Sequence, residues 1–165
     1  MKSSDRHLGG GLYIAAAVLN GRRRNLGLDV AHVVNRTIDT FKKYLNVPDN
    51  LNIRIASCPS GYSGRYIHAH RTVELSYKLN WRQAMEVLAH EMVHVKQYAK
   101  GELKDYIKVH KSKWKGEIID PEEVDYWDHP WEFEAYGLQE SLVAKFLMEH
   151  KLYKHLKQKQ EDWFD

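Results

Sequence analysis

Hydrophobic and polar positions along the chain predict helices separated by short strands. Apolar residues recur every three or four positions from 29 to 46, which indicates a helix with Asp29 as its N-cap. Residues 51–57 alternate between apolar and polar side chains, a pattern typical of a half-buried strand. A turn-rich loop at 59–64 follows, and the segments 65–68 and 72–77 are predicted to be two further strands.

A second helix has the clearest boundaries. Asn80 is a good N-cap, and Gln83 stands where a capping box requires Glu or Gln. The apolar stripe of this helix continues to Ala99, and Gly101 is a natural stop. Residues 102–129 have weak periodicity and are predicted to be a long irregular connection. A last helix is predicted to start at Pro130 and to run towards residue 157.

These elements predict an α+β fold in a single domain over residues 1–165, with a small, mostly antiparallel sheet packed on the second and the last helix. Residues 1–28 form an N-terminal segment whose structure the pattern does not define. Its apolar run, Leu12–Leu19, is far shorter than the ~20 residues of a membrane-spanning helix. We therefore expect no membrane association, and interpret the run as a buried segment followed by a basic loop rather than a cleaved signal.

Net charge and composition exclude only a few classes of function. The net charge of +3 is too small to indicate a nucleic-acid partner, and the single Cys58 excludes an intramolecular disulfide. Residues 96–115 hold seven lysines, whereas residues 117–134 hold eight acids and no lysine or arginine. This asymmetry fits either two solvated surfaces that neutralise each other or an acidic rim around a cation or a cationic substrate.

The chemistry is concentrated in the second helix, where His90-Glu91-Met92-Val93-His94 matches the pattern H-E-x-x-H. Residues four apart lie on one helical face, so the imidazoles of His90 and His94 can reach one tetrahedral ion. Glu91 would lie beside the metal, where it can take a proton from metal-bound water and return it to a leaving amine. The histidines fall roughly opposite the apolar stripe, as expected for a helix that borders a cleft.

A catalytic zinc site usually takes three protein ligands, and the spacing leaves the third open. The continuation that places a third histidine six residues after the second is absent, because Lys100 stands there. Seven other residues have side chains that could be the third ligand: Cys58, which precedes the motif, and His110, Asp125, Asp128, His129, Glu132 and Glu134, which follow it.

The two motifs together resemble the zincin metallopeptidases of the gluzincin type. In that family the third ligand is a glutamate that opens an E-x-x-A pattern on a later helix, as Glu132-Phe133-Glu134-Ala135 does here. The block Tyr126–Ala135, following His90–Gln97, is also similar to small metallopeptidases encoded by phages and prophages. The resemblance covers roughly residues 72–142.

The resemblance implies a minimal zincin-like domain with one Zn²⁺ held by His90, His94 and Glu132, and Glu91 as the general base. It implies hydrolysis of a peptide or protein substrate. The resemblance also implies that the edge strand of the sheet holds this substrate, and we place that strand within residues 64–77. The expected location is cytoplasmic, in the host cytoplasm or in the virion if the protein is phage-encoded. The sequence does not indicate an oligomeric state.

Several roles stay open. Many gluzincins have an acid after the alanine that orients a ligand, but Tyr136 stands there; Asp128, Gln139 or Glu140 are alternatives. Candidates to stabilise the oxyanion are Tyr126, His110 and His129. Two other functions remain possible: a non-catalytic zinc-binding module, which would not need Glu91, and a deformylase-like amide hydrolase, which would use Cys58 as a ligand.

Overall fold

The computed structural model describes residues 14–16, 23–58 and 61–152, with side chains from Val30 onwards. The parts of the N-terminal prediction that concern residues 1–13 and 17–22 lie outside this range, as do residues 153–157 of the predicted last helix. Three helices are described: α1 (Arg23–Leu45), α2 (Trp81–Ala99) and α3 (Pro130–Glu149).

The prediction that α1 begins at Asp29 was wrong, because the helix already starts at Arg23. Four of the six residues at positions 23–28 are arginine or leucine, which are good helix formers, and the basic stretch extends the helix despite Asn25 and Gly27. The last helix ends at Glu149, earlier than predicted. Lys151 has a left-handed φ of 57°, and the amide of Leu152 donates to the carbonyl of Leu147, which closes the helix with a Schellman-type cap.

Helix α2 has the predicted ends. The side chain of Asn80 accepts from the amides of Arg82 and Gln83, and the Gln83 side chain accepts from the amide of Asn80. At the other end, Gly101 takes a φ of 68°, which lets the amide of Glu102 return to the carbonyl of Gln97. Both caps confirm boundaries that local sequence alone indicated.

The main sheet has the order β1-β2-β4-β3 and is mixed. Strands β1 (Ile14–Ala16), β2 (Asn52–Ala56) and β4 (Thr72–Ser76) are parallel, and β3 (Gly64–Ile67) pairs antiparallel with β4 at the edge. A second sheet is antiparallel throughout, so three of the five strand pairings in the two sheets are antiparallel. The α+β class is therefore confirmed.

The second sheet lies where the sequence predicted an irregular connection, and this prediction was wrong. Its strands are β5 (Leu103–Tyr106), β6 (Lys111–Trp114) and β7 (Glu117–Ile119). The strands are only three or four residues long, and of their side chains only Leu103 and Ser112 are buried. An alternation of apolar and polar residues therefore never develops, and the segment has no recognisable period.

The core lies between the main sheet and helices α1 and α2, with α3 packed on α2. Ile53 and Ile55 of β2 and Val73 and Leu75 of β4 face it, as their alternation predicted. From α2 the core receives mainly Ala84, Met85, Leu88, Ala89, Met92 and Val95. Because this apolar stripe packs in the core, the opposite face of α2 lies between β3 and α3. Within the described part of the chain, no helix combines the length and the apolar character needed to cross a membrane.

Candidate metal centre

His90, His94 and Glu132 meet at one point between α2 and α3, as the sequence predicted. The Nε2 atoms of the two histidines lie 3.2 Å apart. Glu132 places Oε2 at 3.2 Å from Nε2 of His90 and Oε1 at 3.4 Å from Nε2 of His94. The three side chains are only 10–12% exposed. They form a group that could hold a metal ion.

These separations fit a tetrahedral ion. Ligand atoms about 2.0–2.1 Å from a tetrahedral zinc are about 3.3 Å from one another. The three observed distances of 3.2, 3.2 and 3.4 Å are within 0.1 Å of this value. The two imidazole nitrogens and one carboxylate are also the donor set that zinc accepts in catalytic sites, with one position left for water.

The hydrogen bonds of Gln97 determine which nitrogen of His94 faces this point. Gln97 is completely buried, and its amide nitrogen lies 2.9 Å from the carbonyl oxygen of Trp131 and 3.1 Å from Oε2 of Glu134. Both partners accept only, so the nitrogen must face them and the amide oxygen must face His94. That oxygen lies 2.8 Å from Nδ1 of His94, which therefore carries the proton. In the neutral imidazole, Nε2 is left with a lone pair directed at the site.

His90 is oriented by two residues of α3. Its Nδ1 lies 3.0 Å from Oε1 of Gln139, one of the residues the sequence proposed for orienting a ligand. The ring of Tyr136 lies 4.5 Å from the His90 ring, so at the position where many gluzincins have an acid this chain makes an aromatic contact. When Nδ1 donates in both rings, the Nε2 lone pairs of His90 and His94 converge with the carboxylate of Glu132. These groups repel one another, and a cation between them would remove the repulsion.

Glu91 lies beside the triad and points towards the edge strand. It is 7% exposed and accepts a hydrogen bond from the backbone amide of Tyr66 on β3. Burial raises the pKa of the Glu91 carboxyl, and the neighbouring His94 and His90 oppose that rise. A buried carboxyl with a raised pKa is suited to accept and return a proton near neutral pH.

Strand β3 approaches α2 closely at Gly64. A Cβ atom at this glycine would lie 2.5 Å from Cγ1 of Val87 and 3.0 Å from the carbonyl oxygen of Glu74. The amide of Ser76 donates to the carbonyl oxygen of Ser63. From Ser63 onwards, every second residue of this strand therefore directs its backbone groups towards β4. The backbone groups of Gly64 and Tyr66 therefore face the free edge, next to the site. The predicted cleft strand is thus β3.

Two cavities extend from the triad along β3. One, of about 290 Å³, lies on the His90 side and is lined by Tyr62, Val87 and Tyr136 among others. The other, of about 240 Å³, lies on the His94 side and reaches Tyr98, Leu103 and Trp131. Both are lined by Tyr62, Gly64, His90, Glu91 and Tyr126. The centre is therefore open to an elongated ligand on both sides.

The ionisation of Glu132 and that of His94 depend on each other. Burial opposes ionisation of Glu132, yet hydrogen bonds from Nε2 of His90 and His94, each of which needs a proton in place of the lone pair that a metal would take, hold the pKa of this carboxyl well below its usual range. Burial likewise disfavours charge on His94, but the Glu132 hydrogen bond and the Glu91 and Glu132 charges raise the pKa of its imidazole. Glu132 is thus an anion, and the site favours a positive charge near its two histidines.

Tyr126 is the one oxyanion candidate that the structure places at the centre. Its hydroxyl donates to Oε2 of Glu132 at 2.8 Å. Burial and this bond to Glu132 raise the pKa of the phenol, so it stays a hydrogen-bond donor. His129 bonds instead to the carbonyl oxygens of Pro121 and Val124, where it holds the preceding loop. His110 is exposed at a turn between β5 and β6.

The other ligand candidates do not join the triad. Cys58 contacts the carbonyl oxygen of Ser63, and Asp125 and Asp128 are exposed. Glu134 lies on the same helix as Glu132 but bonds to Lys96 at 3.0 Å and Lys115 at 2.9 Å. Burial opposes its ionisation, yet Lys115, Gln97 and Lys96 lower the pKa of its carboxyl. Glu134 is therefore connected to His94 through Gln97 and does not contact the two histidines itself.

The role of Gln97 was not among the predictions from the sequence. Its position three residues after His94, on the same helical face, is the signal that could have identified it. The chain has no significant match among protein-family models, curated proteins or solved structures. The motifs and the geometry of the centre are therefore the features that indicate a function.

Proposed function

We propose that the protein is a zinc-dependent metallopeptidase that hydrolyses a peptide or protein substrate. The observation that carries the proposal is the convergence of His90, His94 and Glu132 at ligand spacing, with Glu91 buried beside them. The free edge of β3 and the cavities on both sides support an extended peptide as the substrate.

In this proposal each side chain has a defined task. Bound zinc would supply a Lewis acid and lower the pKa of water to about 7. Glu91 accepts the proton of the attacking water and passes it to the nitrogen of the leaving amine. The hydroxyl of Tyr126 has a single proton, which it donates to Glu132 in the structure; in the reaction it turns this proton from Glu132 to the substrate's carbonyl oxygen as charge develops there.

The two alternatives receive less support. A structural zinc module needs no acid at position 91, and burying an unused carboxyl there costs stability. A deformylase-like site would need Cys58 among the ligands, whereas its sulfur contacts Ser63. A cytoplasmic location, in the host or in a virion, is part of the proposal and rests on the sequence alone.

The test combines metal analysis with an unbiased digest. Protein purified without chelator is expected to contain about one zinc per chain and to cleave members of a peptide library. A chelator should abolish cleavage, and added zinc should restore it. Glu91→Gln is the matched control, because it keeps both imidazoles and the size of the side chain. We expect this variant to retain zinc and to lose at least ~10²-fold in hydrolysis.

Three results would contradict the proposal. Protein without zinc or any exchangeable divalent metal would remove the metal centre. A Glu91→Gln variant that cleaves as well as the parent would show that Glu91 is not the base. Zinc retention without any cleavage by the parent protein would favour the binding module.

A further inference from the structure

The β5–β7 sheet has one packed face and one solvent face. Leu103 and Ser112 are buried on the packed face, and Trp114 approaches Trp131 there with ring centroids 6.4 Å apart. Side chains alternate along a strand, so the strand residues next to Leu103, Ser112 and Trp114 point to the opposite surface of the sheet. That opposite surface, which we name the lysine face, consists of Lys104, Tyr106, Lys111, Lys113 and Ile118 and contains no acid.

The strand register concentrates positive charge on the lysine face. Lys104 of β5 stands directly opposite Lys113 of β6, and like charges at such positions destabilise a strand pair. Lys111 is 3.6 Å from Asp120. Among the side chains of residues 30–58 and 61–152, no carboxylate lies within 4.0 Å of Lys104, Lys108 or Lys113. Apart from the Lys111–Asp120 contact, the described residues therefore place no carboxylate close enough to neutralise the lysine face.

Exposed apolar side chains accompany these lysines. At the tip of the β5–β6 hairpin, Ile107 is 82% and Val109 is 59% exposed, with Lys108 between them. Ile118 on β7 is 57% exposed beside Lys113. A surface that mixes unpaired lysines with exposed aliphatic groups matches a chain that alternates acidic and apolar residues.

The lysine face also adjoins the cleft. Leu103, the first residue of β5, lines the cavity on the His94 side together with Tyr98 and Trp131. Lys104 is the next residue, on the outer surface of the same strand. A chain that leaves the cleft past Leu103 reaches the lysine face by crossing β5, which is the edge strand of this sheet.

We propose that the lysine face binds an acidic segment of the substrate, adjacent to the peptide bond that is cleaved. This inference rests on the proposed peptidase function and narrows its substrate class to proteins with an acidic, partly apolar segment beside the scissile bond. Nucleic acid fits the surface less well. Tyr106 is the single aromatic ring on the face, and it already stacks with Lys104, whose Nζ lies 5.4 Å from the ring centre.

Binding can be measured without hydrolysis by using Glu91→Gln protein and fluorescence anisotropy. The probe is a labelled peptide of alternating glutamate and leucine, and the comparison probe replaces every glutamate with glutamine. We expect the acidic peptide to bind at least about tenfold tighter at low salt, and the difference to shrink as salt screens the lysines. Equal binding of both peptides would overturn the proposal, whatever the outcome of the hydrolysis tests.

The double variant Lys104→Gln/Lys113→Gln should remove most of this preference. Lys78→Gln/Lys145→Gln makes the same change in net charge on exposed lysines outside the hairpin, and should leave binding unchanged. Loss of binding in both double variants would indicate an effect of net charge alone and would refute the site. Since Lys104 and Lys113 repel, we expect the first double variant to melt no lower than the parent, which guards against misfolding.

A digest with the active protein completes the test. Cleavage sites from a peptide library should be enriched in Asp and Glu on one side of the scissile bond, and the Lys104/Lys113 double variant should lose that enrichment while it still cleaves. Cleavage without any acidic enrichment would refute this inference and leave the peptidase function intact. Single-stranded DNA that binds more tightly than the acidic peptide would reassign the surface to nucleic acid.

Discussion

The amide oxygen of Gln97 lies 2.8 Å from Nδ1 of His94, and this contact sets the protonation of the imidazole. The amide cannot be turned around, because its nitrogen serves two acceptors, the Trp131 carbonyl and Glu134. Glu134 is in turn held by Lys96 and Lys115. A chain of hydrogen bonds that is buried at Gln97 and reaches the surface at Lys115 thus presents Nε2 of His94 to the candidate metal position with its lone pair free.

Replacing Gln97 with leucine should weaken zinc binding. The variant keeps the volume of the side chain but removes the acceptor of the His94 proton, and such losses typically cost about 10- to 100-fold in metal affinity. Competition with a chromophoric chelator measures the change. Gln83→Leu, on the same helix, removes a cap bond outside the site and should lower stability without changing zinc affinity. Equal zinc affinity in the parent and Gln97→Leu would contradict the assigned role.

Glu132 and Glu134 should respond differently to substitution. Glu132→Ala removes the carboxylate that lies 3.2 Å from Nε2 of His90 and 3.4 Å from Nε2 of His94, so we expect zinc to be lost and activity with it. Glu134→Ala leaves the three ligands in place and frees Gln97 to move, so zinc affinity should fall less. Zinc content after dialysis and peptide hydrolysis distinguish the two variants. A greater loss of zinc from Glu134→Ala would show that the ligand had been assigned to the wrong glutamate.

Tyr126→Phe tests the hydroxyl that reaches the centre. The change keeps the ring and removes the hydrogen bond to Glu132, and hydrogen bonds to charged groups contribute about 1.5–3 kcal/mol. If the hydroxyl also serves the substrate's oxygen, kcat should fall by more than tenfold while zinc stays near one per chain. A variant with normal kcat and weakened zinc binding would limit Tyr126 to holding Glu132.

Gly64→Ala should disturb the edge strand. Its Cβ would lie 2.5 Å from Val87 on α2, and overpacking of this kind typically costs about 1–3 kcal/mol in the free energy of unfolding. Gly137→Ala is the control, because nothing lies within 4 Å of a Cβ at this α3 position. In a helix interior that substitution should raise stability by up to about 1 kcal/mol. Urea denaturation of both variants measures the difference, and equal shifts would refute the close approach.

Local sequence predicted the features that depend on neighbours along the chain. The ends of α2 follow from Asn80, Gln83 and Gly101, and the pairing of His90 with His94 follows from four-residue spacing. The inward faces of β2 and β4 follow from alternation of apolar and polar residues. Each of these depends on backbone geometry over a few residues, which the amino-acid types largely specify.

Tertiary structure decided the rest, because it depends on which distant segments pack together. Spacing left seven candidates for the third ligand, and only the packing of α3 on α2 brings Glu132 to the histidines while directing Glu134 to Lys96 and Lys115. The same packing buries Gln97 under Trp131. The parallel pairing of β2 with β4 and the register of Lys104 against Lys113 are likewise long-range choices, made by burial and hydrogen bonding across the whole fold.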